Sequence, residues 1–399
     1  MRILIVSREY PPQTAWGGIA TFSFHLAHGL KTMGHDVDVL SFNYEVPSDT
    51  VDGGIRVIRE VNSMKIMPWH SSFFLYFYLY QRKLFARFKE LHSHAPYDVV
   101  DCPDHLGEAY GIIRSGLVPT TLRFYTPWSL AAASAMNYRE RWYDIYGVRW
   151  LERQSALGAH CLTCPSKDLS DKVTEFFNLS QPVEIIGNPI DSHMFRPDDP
   201  VSDSTIRVLF VGRLEPRKGP DVLVHAIPHI TREISNIQFC FIGSDCPSPN
   251  HQSTRGELKD FLDSQGVSGH VTFQDPVSLL DLPKWYNSAH IIVVPSRYDN
   301  SPYSCLEAMS CGKAVVASKA GGAPEYLDHG NAGLLCPSED PKSLAQAIVR
   351  LAKDAALRAK LGDQARQRVI ERFDKKVVVE RTCELYERAI KIHRRRRGG

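Results

Sequence analysis

The chain of 399 residues has no apolar run long enough to cross a bilayer. The longest, Phe73 to Tyr80, has eight residues, against about 20 for a spanning helix. The start, Met1-Arg2-Ile3-Leu4-Ile5-Val6-Ser7-Arg8-Glu9, meets charge after four apolar residues, too few for a signal-peptide core. Charge of one sign is also missing. The 47 Lys and Arg residues are offset by 45 Asp and Glu, leaving +2, which excludes a domain-wide basic nucleic-acid binder. Cysteine has no pattern. Nine residues, an odd number, are scattered, so a reducing cytosol fits better than a disulfide framework. Cys161 and Cys164 are the only close pair; with no second pair they read as structural. There is no G-x-x-x-x-G-K-[ST] and no strand-linked G-x-G-x-x-G. Kinase, P-loop ATPase and nicotinamide chemistry therefore find no support.

What is present is a chain for two cores, 43% hydrophobic and 23% charged. Its halves begin alike. Arg2-Ile3-Leu4-Ile5-Val6-Ser7-Arg8 and Arg207-Val208-Leu209-Phe210-Val211-Gly212-Arg213 each read as a buried strand, followed by a loop and a helix. In the first helix Ile19, Phe22, Leu26, Leu30 and Met33 form one apolar face, and Gly34 ends it. Short apolar runs follow at Val37–Leu40, Ile55–Ile58, Val99–Val100, Thr120–Phe124, His160–Thr163 and Val183–Ile186. The second half repeats them at Ile237–Ile242, Val271–Phe273, Ile291–Val294, Ala314–Ala317 and Gly333–Leu335. Strands alternating with helices imply an α/β protein of two Rossmann-like, doubly wound parallel sheets facing a cleft. The polar stretch Pro197 to Ser204 marks the boundary, giving domains 1–198 and 199–375; a closing helix, 376–399, ends in Arg394 to Arg397 and two glycines.

Ligands of such sheets bind at the carboxyl ends of the strands. Three loops there carry chemistry. Gly212-Arg213-Leu214-Glu215-Pro216-Arg217-Lys218-Gly219-Pro220 leads into a helix whose N-terminus, flanked by Arg213 and Lys218, suits a diphosphate. The plainer alternative is a solvated basic turn. Asp299-Asn300-Ser301-Pro302-Tyr303-Ser304-Cys305-Leu306-Glu307 also runs from loop into helix. Ser304 and Glu307 match a capping box; alternatively Glu307 and Asp299 accept from vicinal sugar hydroxyls, while backbone N–H groups of Ser301 to Ser304 hold phosphate or sugar oxygens. Gly17-Gly18 allows close backbone approach to a ligand. Asp36-Val37-Asp38 has the D-x-D form of a metal site but falls in an expected strand, so no metal is assigned.

The order of these motifs resembles the retaining glycosyltransferases of family 4, which have the GT-B fold. The resemblance covers nearly the whole chain. Its elements are Tyr10-Pro11-Pro12 with Gly17-Gly18, Gly34-His35-Asp36-Val37, Gly187-Asn188-Pro189-Ile190-Asp191, Val211-Gly212-Arg213-Leu214 with Lys218-Gly219, Pro295-Ser296-Arg297, Leu306-Glu307-Ala308-Met309, and Gly321-Gly322-Ala323-Pro324-Glu325. It implies a metal-independent hexosyltransferase needing no cofactor, with a nucleotide-sugar donor, a UDP- or GDP-sugar, and a glycan, glycolipid or small-molecule acceptor. Arg213 and Lys218 correspond to the cations on the donor diphosphate, and Glu307 to the acid on the ribose. Asp299 stands where the family has the first Glu of its E-x7-E pair. Gly17 and Gly18 correspond to the loop facing phosphate and acceptor. Tyr125 stands where many members have a His near the reaction centre. Catalytic roles thus fall on Arg213, Lys218, Asp299 and Tyr125. Donor binding falls on Gly17, Gly18, Arg213, Lys218, Asp299, Asn300, Ser301, Pro302, Tyr303, Ser304 and Glu307. The resemblance also implies that the closing helix packs back on the first domain.

The Tyr125 and Asp299 departures motivate one rival reading, a non-catalytic sugar-nucleotide-binding subunit; a second rival is a different enzyme on the same fold, a sugar-nucleotide epimerase or a phosphorylase. Polysaccharide and cell-envelope pathways fit the transferase reading. The expected location is cytoplasmic. Stretches 70–92 and 388–397 are basic, the first aromatic-rich as well, with +4 over Met64–His92 and +4 over Val378–Gly399. They are candidates for peripheral contact with a membrane's inner face; the alternative is a core helix with a solvated basic end.

Overall fold

A computed structural model describes residues 1–12, 17–43, 46–61, 73–134, 142–198, 204–247 and 253–398. Most of the Pro197–Ser204 stretch and residues 70–72 of the basic stretch lie outside them. The chain divides into two units, Met1–Pro189 with Lys375–Gly399, and Ile190–Asp374.

The first unit contains β1 (Arg2–Val6), β2 (Asp36–Asn43), β3 (Ser48–Asp52), β4 (Ile55–Val61), β5 (Val99–Pro103), β6 (Thr120–Arg123), β7 (Cys161–Cys164) and β8 (Val183–Ile185). They pair in the order β3-β4-β2-β1-β5-β6-β7-β8. All neighbours are parallel except β3, which runs antiparallel to β4. Ile3, Leu4 and Ile5 of β1 are buried, as continuous apolar runs are when helices cover both faces of a parallel sheet. The unexpected strand is β3. Its sequence, Ser-Asp-Thr-Val-Asp, is polar and mostly exposed, so no apolar alternation marks it. A two-residue turn of Gly53 and Gly54, both at positive φ, folds it onto β4 as a hairpin.

Helices α1 (Gly18–Thr32), α2 (Phe73–His94), α3 (Tyr110–Ser115), α4 (Trp128–Ser134), α5 (Trp142–Gly158) and α6 (Lys167–Phe177) connect these strands. Phe22, Leu26 and Leu30 of α1 are buried as their spacing requires, but Met33 is the exposed C-cap residue.

The second unit contains β9 (Ile206–Val211), α7 (Pro220–Thr231), β10 (Ile237–Ile242), α8 (Thr254–Ser264), β11 (Val271–Gln274), α9 (Leu282–Ser288), β12 (Ile291–Val294), α10 (Tyr303–Ser310), β13 (Ala314–Ser318), α11 (Ala323–Tyr326), β14 (Leu334–Cys336), α12 (Pro341–Lys353) and α13 (Ala355–Arg372). Its sheet is parallel throughout, ordered β11-β10-β9-β12-β13-β14. The order reverses between β9 and β12, a switch point that opens their carboxyl ends to a ligand.

The boundary between units falls at Pro189/Ile190, ahead of the 198/199 expected from composition. Packing sets it there. Phe195 is fully buried in the second unit's core, Ser310 Oγ donates to its carbonyl at 2.5 Å, and Asn287 Nδ2 donates to Arg196 O at 2.9 Å. Loop-like composition there conceals a bound segment.

The last helix, α14 (Lys375–Arg397), belongs to the first unit and stays helical through its four terminal arginines. Val378, Thr382, Leu385, Tyr386, Ala389 and His393 line its buried face at helical spacing. Gly29 of α1 admits it: a Cβ there would lie 2.5 Å from Val379 Cγ2. Tyr386 donates to Asp101 of β5 at 2.5 Å. Burial pushes the Asp101 carboxyl up to about 6, against the downward pull of that bond and of Arg123.

Tyr386→Phe removes a donor from a fully buried carboxylate. The expected loss is about 1–3 kcal/mol of unfolding free energy. The charged form is the one deprived, so the loss should be larger at pH 8 than at pH 5. Denaturant titration at both values checks this, and an equal loss at both would count against the Asp101 assignment.

Candidate functional site

The loops after β9 and β12 meet at the switch point of the second unit. A 3₁₀ turn, Pro216–Lys218, ends at Gly219, whose φ is +68°. A Cβ on Gly219 would sit 2.1 Å from Pro295 O, so only glycine lets the two loops close. Gly321, at φ +60°, plays the same part from the next loop, 2.0 Å from Asp299 O by the same measure.

This closure brings Lys218 onto Asp299, whose Oδ2 takes the ammonium group. Arg217 Nη1 stands 3.8 Å from the same oxygen, and Ser301 N donates to Oδ1 at 3.2 Å. Asp299 is buried. Burial alone would raise its pKa, but Lys218 and Arg217 outweigh it and hold the carboxyl below its ordinary value. Glu215 accepts from Arg217 at 2.7 Å and from Arg213 at 3.3 Å, and the Arg213 side chain is 61% exposed. The cluster therefore offers three cations against two carboxylates, with Arg213 facing solvent.

Glu307 lies one turn into α10. The capping alternative fails: the N-cap of α10 is Pro302, with no side-chain cap. Glu307 is instead buried and accepts from Tyr286 of α9 at 2.6 Å. Burial pushes its carboxyl up to about 7, against the opposing effects of Tyr286 and Lys218.

The expected open N–H groups of α7 are already engaged. Val222 and Leu223 donate to Gly219 O at 3.1 and 3.4 Å. The Asp221 carboxylate in the first turn faces Arg297, at 2.6–2.8 Å. An anion at this loop would be met by side chains, Arg213, Arg217 and Lys218, and not by the α7 terminus. Among Ser301 to Ser304, the Ser301 N–H is taken by Asp299, and its hydroxyl meets Tyr326. Asn300, Tyr303 and Ser304 are partly exposed beside the buried Pro302.

Gly17, Gly18 and Tyr125 belong to the first unit. Gly17 is the N-cap of α1, and a Cβ there would meet Glu9 Oε2 at 2.9 Å; a Cβ on Gly18 would meet nothing within 4 Å among the described residues. Tyr125 follows β6, its N–H donating to Asp104 at 3.1 Å and its ring edge-on to Phe22 at 5.6 Å. Burial raises its phenol well above the ordinary value, with Ser23 hydrogen-bonded to it. Ser23 in turn donates to Ser7, and Ser7 to Glu9 O, both at 2.8 Å. Such a phenol is no base at neutral pH. Asp36 and Asp38 pair with Arg2.

Several polar residues escaped the sequence reading. Tyr286 gave no local signal, and Arg217 stood in the quoted basic loop without a role of its own. In the first unit Arg8 lies 3.6 Å from the fully buried Glu108, which burial pushes up to about 7; His105 falls to about 4 through burial and Arg8. A run of charge just past an apolar strand, Asp104-His105-Leu106-Gly107-Glu108, was the available clue.

Two family models match the chain: Glycosyltransferase Family 4 over residues 16–193 and Glycosyl transferases group 1 over 194–368. The chain is 27% identical to an uncharacterized glycosyltransferase of Methanocaldococcus jannaschii, over 98% of this chain and 99% of that one. Its fold matches sucrose-phosphate synthase from Thermosynechococcus elongatus with a TM-score of 0.78, at 20% identity over 97% and 98% of the two chains. It also matches Anabaena HepE in complex with UDP, with a TM-score of 0.73 at 17% identity over 96% and 99%. The chain belongs to glycosyltransferase family 4, the group 1 glycosyl transferases, and has their GT-B fold. It is a glycosyltransferase.

The raised Glu307 carboxyl has a measurable consequence. Its ordinary value is 4.5 and its folded value about 7, so the folded state binds the extra proton between them. The stabilisation is complete below pH 4.5 and lost as pH rises through 7. Glu307→Gln keeps an acceptor for Tyr286 and cannot charge. Its stability relative to wild type should rise from pH 5 to pH 8 by up to about 3 kcal/mol. Urea unfolding across that range checks this, and a flat difference would refute it.

Proposed function

We propose that the protein is a retaining transferase that moves a sugar from a nucleotide-sugar donor, a UDP- or GDP-sugar, to a hydroxyl of a glycan, glycolipid or small-molecule acceptor. The second unit binds the donor and the first binds the acceptor. The observation that carries this reading is the buried Asp299 held by Lys218 and Arg217 at the switch point. An incoming diphosphate competes for those cations and for Arg213. Asp299 and Glu307, which as carboxylates only accept, then take hydroxyls of the sugar and the ribose.

In the step itself the bond from the anomeric carbon to the leaving phosphate oxygen breaks. The acceptor oxygen bonds to the same face, and its proton passes to the departing phosphate. Negative charge grows on the diphosphate, and preorganised cations lower that barrier. Each charge-assisted hydrogen bond contributes about 1.5–3 kcal/mol. No protein base is required, which accords with the raised phenol of Tyr125. Tyr125 then shapes the site without moving a proton. Fixed cations take the role a metal ion has in other transferases, so no metal or cofactor is needed. HepE, crystallised with UDP, supports the choice of donor class.

The Arg213→Ala, Lys218→Ala double variant should lose transfer, while wild-type transfer should survive EDTA. A thermal-shift panel of UDP-, GDP-, ADP- and dTDP-sugars identifies the donor beforehand. A ligand at about 100 times its Kd adds roughly 2.7 kcal/mol. Wild-type-like turnover in the double variant would overturn the reading.

The reading extends to a cytoplasmic enzyme resting on a membrane surface through 70–92 and 388–397. Nine cysteines with no disulfide among the described residues suit a reducing compartment. Among the described residues no helix is long and apolar enough to cross a membrane. On α2, Leu75 and Leu79 are exposed beside Arg82, Lys83 and Lys89. Packed against α2, α5 exposes Tyr143, Tyr146 and Trp150. Arg397 at the end of α14 donates to Gly116 O, just past α3, extending the basic surface. Such surfaces bind anionic lipid. The protein should sediment with phosphatidylcholine–phosphatidylglycerol vesicles at low salt and be released by salt. Absence of sedimentation at low salt would remove this part.

A further inference from the structure

We propose that Arg297 is a positioning residue for transfer, clamping the loops that carry Lys218, Arg217 and Asp299 so that cations and carboxylate keep one register. The proposal rests on the donor-site reading of those loops.

Arg297 lies three residues past β12 and two before Asp299. Its guanidinium reaches three segments. Nη1 donates to Pro216 O at 2.6 Å and to Asp221 Oδ1 at 2.8 Å. Nη2 donates to Asp221 Oδ2 at 2.6 Å, completing a two-pronged pair with the first turn of α7. Nε donates to Glu339 Oε1 at 2.7 Å, in the loop between β14 and α12. Glu339 holds φ +59°, a conformation that persists in a non-glycine residue only where its surroundings fix it. The backbone repeats the link. Arg297 N donates to Arg217 O at 2.9 Å, and Arg217 Nη1 returns a bond to Tyr298 O at 3.3 Å.

Four of the five guanidinium N–H donors are thus committed inside the protein. Arg297 acts through the residues on either side of it: Lys218 and Arg217 on one loop, Asp299 on the other. The fit has no slack, because Gly219 already packs against Pro295 O with no room for a Cβ. A shift of one loop moves the cations relative to the carboxylate. Misplacement by about 1 Å at a reacting centre can cost roughly 10²-fold in rate. Lysine, a point charge without the planar fork, cannot hold Asp221 and Glu339 together.

The test uses the full chain as wild type, Arg297→Gln, Arg297→Lys, Lys218→Met and the Arg297→Gln, Lys218→Met double variant. Two readouts are taken. Hydrogen exchange follows the amides of 214–219, 296–301 and 337–340 without any ligand. Calorimetry gives stoichiometry and affinity for the tightest binder among UDP, GDP, ADP and dTDP. In Arg297→Gln the three segments should exchange faster together. Affinity should fall about tenfold at unchanged stoichiometry, and Arg297→Lys should restore only part of it. In the Lys218→Met background the same change should cost clearly less than tenfold, because part of the effect of Arg297 passes through Lys218. Equal costs in both backgrounds would reduce Arg297 to a general stabiliser and overturn the proposal, as would unchanged exchange in the three segments. A wild type that binds none of the four diphosphates counts against the donor reading alone; the exchange result then decides whether the clamp exists.

Discussion

A carboxylate buried at Asp299 has to be matched by charge, and the second unit is built around that requirement. An ionised group taken out of water costs several kcal/mol unless a partner compensates it. Lys218 and Arg217 do so from a loop 81 positions away in the chain. Bringing that loop close requires glycine at 219, where a side chain would strike the carbonyl of Pro295, and Gly321 lets a third loop close on the carbonyl of Asp299 in the same way. Holding it there requires the Arg297 network. The same cations that settle Asp299 are the ones a diphosphate would seek. On the proposed donor reading the pair serves stability without ligand and chemistry with it.

Two carboxylates near one helix are driven in opposite directions by their surroundings. Asp299, beside two cations, is held below its ordinary pKa; Glu307, beside a phenol and deep in the core, is raised to about 7. Environment, more than residue type, sets the charge each carries near neutral pH. The first unit contains a parallel case. Asp101 is raised by burial and depends on Tyr386 from α14, so the last helix of the chain completes a polar contact beneath the first sheet.

Much of the fold was legible because it is written in short stretches. The apolar runs at Ile237–Ile242 and Ile291–Val294 became β10 and β12 with the same limits. Phe22, Leu26 and Leu30 marked the buried face of α1. The Gly219 and Gly321 turns stand out in sequence as glycine-bearing loops after strands. The polar edge strand β3 was invisible because nothing apolar marks it, although Gly53-Gly54 was a usable sign. The boundary was expected at Pro197–Ser204 because that stretch is polar, while Ile190 and Phe195 just ahead of it are anchored in the second unit's core.

Local pattern was enough for the two parallel α/β units, the charged loops after their strands, and the family. These depend on strand and helix periodicity and on glycine, proline and charge within a few residues of one another. Long-range packing was needed to make Glu307 a buried acceptor of Tyr286 and not a helix cap, and to engage the α7 N–H groups of Val222 and Leu223. It also decided that Lys218 meets Asp299, that Arg297 ties three segments together, and that α14 rests on α1 and β5. Each of these depends on which distant residue arrives to solvate or exclude a polar group, and that partner lies beyond the reach of any local pattern.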